Sequence, residues 1–205
     1  MFSKPTLSQL EQMSIDGIEY YQYLSDKFGA DIKFFDEVIS KFYSAISTDK
    51  SLFFEYCNAN SIDNGSELGD YLYEMFNNLC RYNHGGVFEL FKSKQAEWGA
   101  PRVSLRPEDA PNNSDIEMLA DEITIYRGMS KDEYDNKSFT QHWTTDMNEA
   151  IKFATTIYSD LPMGVVVKAK INKKDVIYYD NNDSEKEVIP NLKKIREIEL
   201  IDFNK

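Results

Sequence analysis

The chain has 205 residues and a mass of 23.8 kDa, enough to bury a core without disulfide or metal staples. Its 23 Lys and Arg stand against 35 Asp and Glu, a formal charge of −12 with a pI near 4.7. That field disfavours a long non-specific DNA or RNA footprint and leaves a short, specific contact open. The 13 Tyr and 13 Phe exclude disorder of the low-hydrophobicity kind.

The opening MFSKPTLSQLEQMS contains no apolar run suited to a signal peptide, and no segment reaches the roughly 18 apolar residues of a membrane span. Cys57 and Cys80 are the only cysteines and form no CxxC pattern. Two reduced thiols are expected, with no cysteine-based zinc site and a cytoplasmic place of folding, in the producing cell or in a target cell.

In chain order, apolar residues recur at helical spacing from Thr6 to about Trp98. Helices are expected over Leu7–Phe28, Ile32–Ile46, Ser51–Ala59, Glu67–Tyr82 and Val87–Trp98, with breaks at Gly29, at Asn58–Gly65 and at His84-Gly85-Gly86. His84 reads as a turn residue at a helix C-terminus. A connector with Pro101, Pro107 and Pro111 runs from Gly99 to Asn113 and reads as an ordered loop or lid. After Glu122 the vocabulary is that of strands: Ile123–Arg127, Ser138–Thr144, Gly164–Ile171, Val176–Tyr179, Glu185–Ile189 and Ile195–Phe203. One helix interrupts them, Met147 to about Ser159, with Asp146 as N-cap. Residues 1–120 carry 10 basic and 19 acidic groups and residues 121–205 carry 13 and 16, so most of the acidity belongs to the helical part.

Three features of the strand-rich part carry chemistry. In Ile125-Tyr126-Arg127-Gly128 an Arg at a strand end can grip a phosphate or carboxylate bidentately, with Gly128 letting the chain turn away; the plainer reading is a surface Arg before a turn. His142-Trp143-Thr144-Thr145-Asp146 offers ring and hydroxyl donors at a strand end, or a satisfied histidine beside a core tryptophan. Ala150 and Ala154 on the following helix permit close packing on the sheet. In Asp183-Ser184-Glu185-Lys186-Glu187-Val188-Ile189, Glu185 and Glu187 on a strand would share one side, about 6.5–7 Å apart. They form either a solvated charged strand end or a pair able to stabilise an oxocarbenium-like transition state and to orient a nucleophile.

The order Tyr-Arg-Gly, then a strand falling where the family has Ser-Thr-Ser, with Asp146 and Ala150…Phe153-Ala154 behind it, then Glu-x-Glu, resembles the Arg–Ser–Glu class of mono-ADP-ribosyltransferases over about residues 120–192. The resemblance implies an α+β fold, N-terminal helices followed by a split mixed β-sheet, with the 205 residues forming a single domain (helical to 120, strand-rich with the NAD site from 121). It also implies transfer of ADP-ribose from NAD, the co-substrate, with nicotinamide released and no metal required. Arg127 would hold the NAD phosphate and ribose, flanked by Tyr126 and Gly128. His142 and Thr144 occupy the two Ser positions around Trp143, His142 being a departure from the family pattern. Phe153 or Tyr158 would stack on nicotinamide. Glu187 would bond the ribose 2′-hydroxyl and stabilise the developing cation, Glu185 would act on the acceptor, and Tyr179, in a loop Tyr178–Ser184, would contact it. The acceptor is macromolecular, a protein side chain or an RNA or DNA base, in keeping with a toxin or phage-defence effector that a neutralising antitoxin would hold in check; no membrane is involved. Lys168, Lys170, Lys173, Lys174, Lys193, Lys194 and Arg196 suit either a phosphate-bearing acceptor or solvated strand edges. The alternative is a module that acts by binding alone.

Overall fold

A computed structural model describes residues 1–44, 49–94, 101–112, 114–157 and 164–202. The fold is α+β, and the chain divides into two compact units, Met1–Ser104 and Leu105–Lys205. The division precedes the change of residue vocabulary near residue 120, because the Pro-bearing connector from Leu105 onward packs with the strands.

The first unit is helical: α1 (Lys4–Gln12), α2 (Gly17–Phe28), α3 (Ile32–Phe42), α4 (Lys50–Ala59) and α5 (Glu67–Lys94). The single helix expected over Leu7–Phe28 is two. Ser14 takes a left-handed φ of 57°, Ile15 forms an isolated bridge with Val103, and the Asp16 carboxylate caps α2 by accepting from the Ile18 and Glu19 amides. In α3, Phe35, Val38, Ile39 and Phe42 are buried, the i, i+3, i+4, i+7 face that its spacing predicts. They join Leu10, Leu24, Phe53, Leu72, Phe76 and Leu79 in one core, each side chain contributing on the order of 1.5–3 kcal/mol. Helix α5 spans both expected helices and kinks between them, where Gly85 and Gly86 leave helical geometry. Its last described residue is Lys94, so the expected end at Trp98 lies outside the described residues.

The second unit is built on one six-stranded sheet with strand order β4-β5-β2-β1-β3-β6: β1 (Glu122–Ser130), β2 (Trp143–Thr144), β3 (Gly164–Asn172), β4 (Val176–Tyr179), β5 (Glu187–Pro190) and β6 (Arg196–Ile201). Every pairing is antiparallel, so the expected mixed sheet is corrected to an antiparallel one. It is continuous but narrow at β2, which meets β1 only at Tyr126↔Thr144. The expected strand Ser138–Thr144 is reduced to two residues because its first half is held by tertiary bonds: the Thr140 amide donates to Glu133, and the buried Gln141 amide donates to the Leu105 and Pro190 carbonyls.

Between β1 and β2 lies the short helix α6 (Lys131–Asp135), and after β2 comes α7 (Met147–Lys152), which continues as a π-helical turn, Phe153–Ile157. Asp146 caps α7 as expected; Tyr158 and Ser159 lie outside the described residues. Alternation along the strands sorts the two faces. Ile125, Met129, Trp143, Val167, Ala169 and Val188 form the core on one face, while Ala150, Ala154 and Val166 pack with Tyr126 on the other. Among the described residues, no helix is long and apolar enough to cross a membrane.

Candidate active site

The register fixes which of the singled-out residues meet. Thr144 pairs with Glu187 on one side and Tyr126 on the other, and directly opposed residues share a face. Glu187, Thr144 and Tyr126 therefore form a row on the α7 face of the sheet. Glu187 is buried, and its Oε1 lies 2.9 Å from Nδ1 of the half-buried His142. A buried carboxylate needs such a donor.

The Thr144 hydroxyl is used locally. It donates to the Glu185 carbonyl at 2.6 Å and accepts from the Asp146 amide at 2.9 Å, tying β2 to the segment before β5 and to the cap of α7. The Thr145 amide adds a bond to the Lys186 carbonyl.

Glu185 is not on the strand. It sits in the turn leading into β5, where its amide donates to Asp183 and Lys186 has a left-handed φ of 50°. The expected same-side spacing of an extended pair is therefore corrected: the turn, rather than strand alternation, sets Glu185 relative to Glu187. Burial pushes the Glu185 carboxyl above its usual value, and the negative charges of Asp183, Glu187 and Glu149 push it the same way, against Lys152. A carboxyl raised in this way, near a buried carboxylate, makes a pair of acid–base groups with unlike environments.

Arg127 departs furthest from expectation. It lies inside the nine-residue β1 and, being out of phase with Tyr126, on the core face opposite Glu187. The side chain is only 8% exposed, with Nε and Nη2 donating to the two Glu133 carboxylate oxygens at 2.8 and 3.1 Å. Nη1 donates to the His142 carbonyl at 2.5 Å. The fork expected to grip a phosphate grips a carboxylate of its own chain. Nor does Gly128 turn the chain away, since β1 continues to Ser130. A Cβ at Gly128 would lie 2.1 Å from the Ala150 carbonyl oxygen and 2.7 Å from the Ala154 nitrogen; the glycine is there so that α7 can lie on the strand, as the Ala150/Ala154 spacing suggests.

Two further candidates belong to the core. Trp143 is buried on the face opposite Glu187 with its indole N–H donating to the Thr140 carbonyl. Tyr179 ends β4 rather than standing in a loop; it is buried, paired with Val188 and bonded through its hydroxyl to Asn181. Neither side chain faces the Glu187 row. Phe153 is half-buried at the head of the π-helical turn, its Cβ over Gly128.

Two residues of the site escape a motif search. Glu133 had a local signal, Ser130-x-x-Glu133, the form of a capping box. Ser130 does cap α6 through the Glu133 amide, but the carboxylate turns to Arg127 instead. Glu149, in the first turn of α7, is near enough for its charge to raise the Glu185 carboxyl, with no sequence mark beyond its helical position.

The lysines on the sheet are committed within the chain: Lys168 to Glu199 at 2.9 Å, Lys170 to Glu197 at 3.1 Å and Lys173 to Glu117 at 2.8 Å. An open cavity of about 480 Å³ adjoins Asp121, Asn172 and Lys173, at the end of β3 away from the Glu187 row. Among the described residues, no group of three or more His, Cys, Asp or Glu is arranged to hold a metal. Compared with known protein families, curated proteins and solved structures, the chain matches none.

Proposed function

We propose that the protein is an NAD-dependent mono-ADP-ribosyltransferase that uses the Glu187 face of the sheet. The observation that carries the reading is the Glu187–His142 contact of 2.9 Å on a central strand, with the raised carboxyl of Glu185 adjoining it. A buried carboxylate fixed by an imidazole suits the stabilisation of positive charge developing at a ribose anomeric carbon as nicotinamide departs. Glu185, its carboxyl raised by burial and by the neighbouring carboxylates, suits activation of the acceptor nucleophile. The acceptor is a macromolecule, with a protein side chain favoured slightly because Lys168, Lys170 and Lys173 are already paired with carboxylates, which weakens a basic track for a nucleic acid. A toxin or phage-defence role, with an antitoxin as partner, extends the same reading.

Arg127 takes no direct part here. Of the cations beside this face, Lys152 pairs with Glu149 at 3.2 Å and Lys168 with Glu199 at 2.9 Å, so a pyrophosphate would have to displace a carboxylate. That observation favours a second reading, a module that binds a ligand without turning it over.

Incubation with labelled NAD and a cell lysate, followed separately by protease and nuclease, distinguishes them. The transferase reading expects nicotinamide release and protease-sensitive label. Glu187→Gln should lower release by about 10²–10³-fold, and Glu185→Gln should abolish transfer while nicotinamide release persists. A thermal shift with NAD and no release from the native protein would decide for binding alone.

A further inference from the structure

The buried ion pair on the far face of the sheet reaches the Glu187 site through one backbone carbonyl. Glu133 holds Arg127 with both carboxylate oxygens, and Arg127 donates to the His142 carbonyl; His142 in turn contacts Glu187 through Nδ1. The Thr140 amide also donates to Glu133 Oε1 at 3.3 Å, so one carboxylate fixes both the guanidinium and the segment that leads into β2. The charges are nearly enclosed, Arg127 at 8% and Glu133 at 12% side-chain exposure. A buried pair of this kind is costly to assemble and contributes little net stability, but its bidentate geometry fixes an angle as well as a distance.

The need for an anchor is local. The two residues of β2 form few ladder pairs, and His142 stands just before the strand. Its carbonyl accepts from Arg127.

We propose that Glu133 is a positioning residue for the Glu187 site, acting through Arg127 and the His142 carbonyl to hold the imidazole against Glu187. Arg127 is thereby a positioning residue too, not the group that receives a phosphate. Lengthening or shortening the Glu133 arm moves the guanidinium, lets the His142 backbone drift and breaks the Nδ1 contact without touching any group on the Glu187 face. The inference rests on Glu187 being the reacting centre for its kinetic consequence only; the positional consequence stands apart from it.

The test uses the full chain, which has only two histidines, His84 and His142. His84 is an exposed residue of the helical unit and serves as internal reference. Imidazole nitrogen–proton spectra of the native protein should show His142 as a single tautomer with Nδ1 hydrogen-bonded, unlike His84. Glu133→Asp keeps the charge but is one methylene shorter; it should make the His142 signals resemble those of His84 while leaving His84 unchanged. Arg127→Lys, a point charge in place of the fork, should do the same, and provides the answer if Glu133→Asp does not fold. In the kinetic arm, Glu133→Asp should lower kcat for nicotinamide release about tenfold with KM for NAD within about twofold.

An unchanged His142 signature in the folded variants, or its absence from the native protein, overturns the inference. So does a rise in KM at constant kcat, which would return Arg127 to direct contact with NAD. Absence of nicotinamide release from the native protein would sink the transferase reading alone and leave the spectroscopic result to decide the positioning role.

Discussion

At Gly128 a single methyl group sets helix against sheet. The Cβ of an alanine would stand 2.1 Å from the Ala150 carbonyl oxygen, and because that atom is backbone it cannot swing aside. Gly128→Ala should therefore force α7 off β1 and cost about 2–3 kcal/mol or more, read as a lower urea midpoint with a change in the near-ultraviolet signal of the sheet unit. Glu185 makes a prediction of opposite sign. Its folded carboxyl keeps a proton to a higher pH than an unfolded one, so the folded state binds more protons between those two values. Stability contributed by the group is then lost as pH rises through the folded value and full charge is imposed beside Asp183, Glu187 and Glu149. Glu185→Gln should raise the melting temperature near pH 7–8 by on the order of 1–2 °C, discounted for partial exposure. The gain should fade as pH falls through the ordinary glutamate range and the carboxyl becomes neutral in folded and unfolded chains alike; a constant difference at all pH values would refute the electrostatic origin.

At the scale of elements, what the chain declares in advance is what local physics decides. α3 follows from its apolar spacing, α7 from the Asp146 cap, and β3 from the run Val165-Val166-Val167 with its alternating continuation. The elements that differ are governed by distant partners. α1 stops short because Ile15 bridges to Val103, and β2 is curtailed because Glu133, Leu105 and Pro190 bond the residues before it. The same division runs through the site. Glu187, His142 and Thr144 were legible as a group because each stands on or beside a strand whose pairing brings it to the others. Arg127, Trp143 and Tyr179 stand on the other face because face is a matter of phase: one residue of offset relative to Tyr126, Thr144 or Glu187 sends a side chain to the opposite face. The kink of α5 is local in origin and supports a further prediction. Gly86 has φ 71° and ψ −160° with open space where a Cβ would stand, so its burden is conformational, not steric crowding. Gly86→Ala should destabilise the helical unit by about 1–3 kcal/mol, seen as lost far-ultraviolet helix signal at a lower temperature, whereas relief of the strain by straightening α5 would appear as an increase in helix content.

At the scale of the molecule, the −12 charge bounds the partners less than the placement of its opposites does. Lys168, Lys170 and Lys173 are drawn into ion pairs, with Arg196 joined to Glu122 at 3.1 Å as well, and such pairs blunt an exposed β6 edge against further strand pairing. Each compact unit has a core of its own, and the residues on either side of the division are bonded within their own unit. The Ser104 amide donates to the Ser14 carbonyl within the helical unit, and the Leu105 amide donates to Gln141 within the sheet unit. A chain of residues 105–205, about 100 residues with its own layered core, is therefore of a size that folds alone. Expressed by itself, it should unfold cooperatively, retain the near-ultraviolet signal of Trp143 and preserve the His142 Nδ1 signature, since Glu133, Arg127, His142 and Glu187 all lie within it. A fragment that collapses without that signature would mean that residues 1–104 complete the sheet unit and that the reacting face cannot be assigned to it alone.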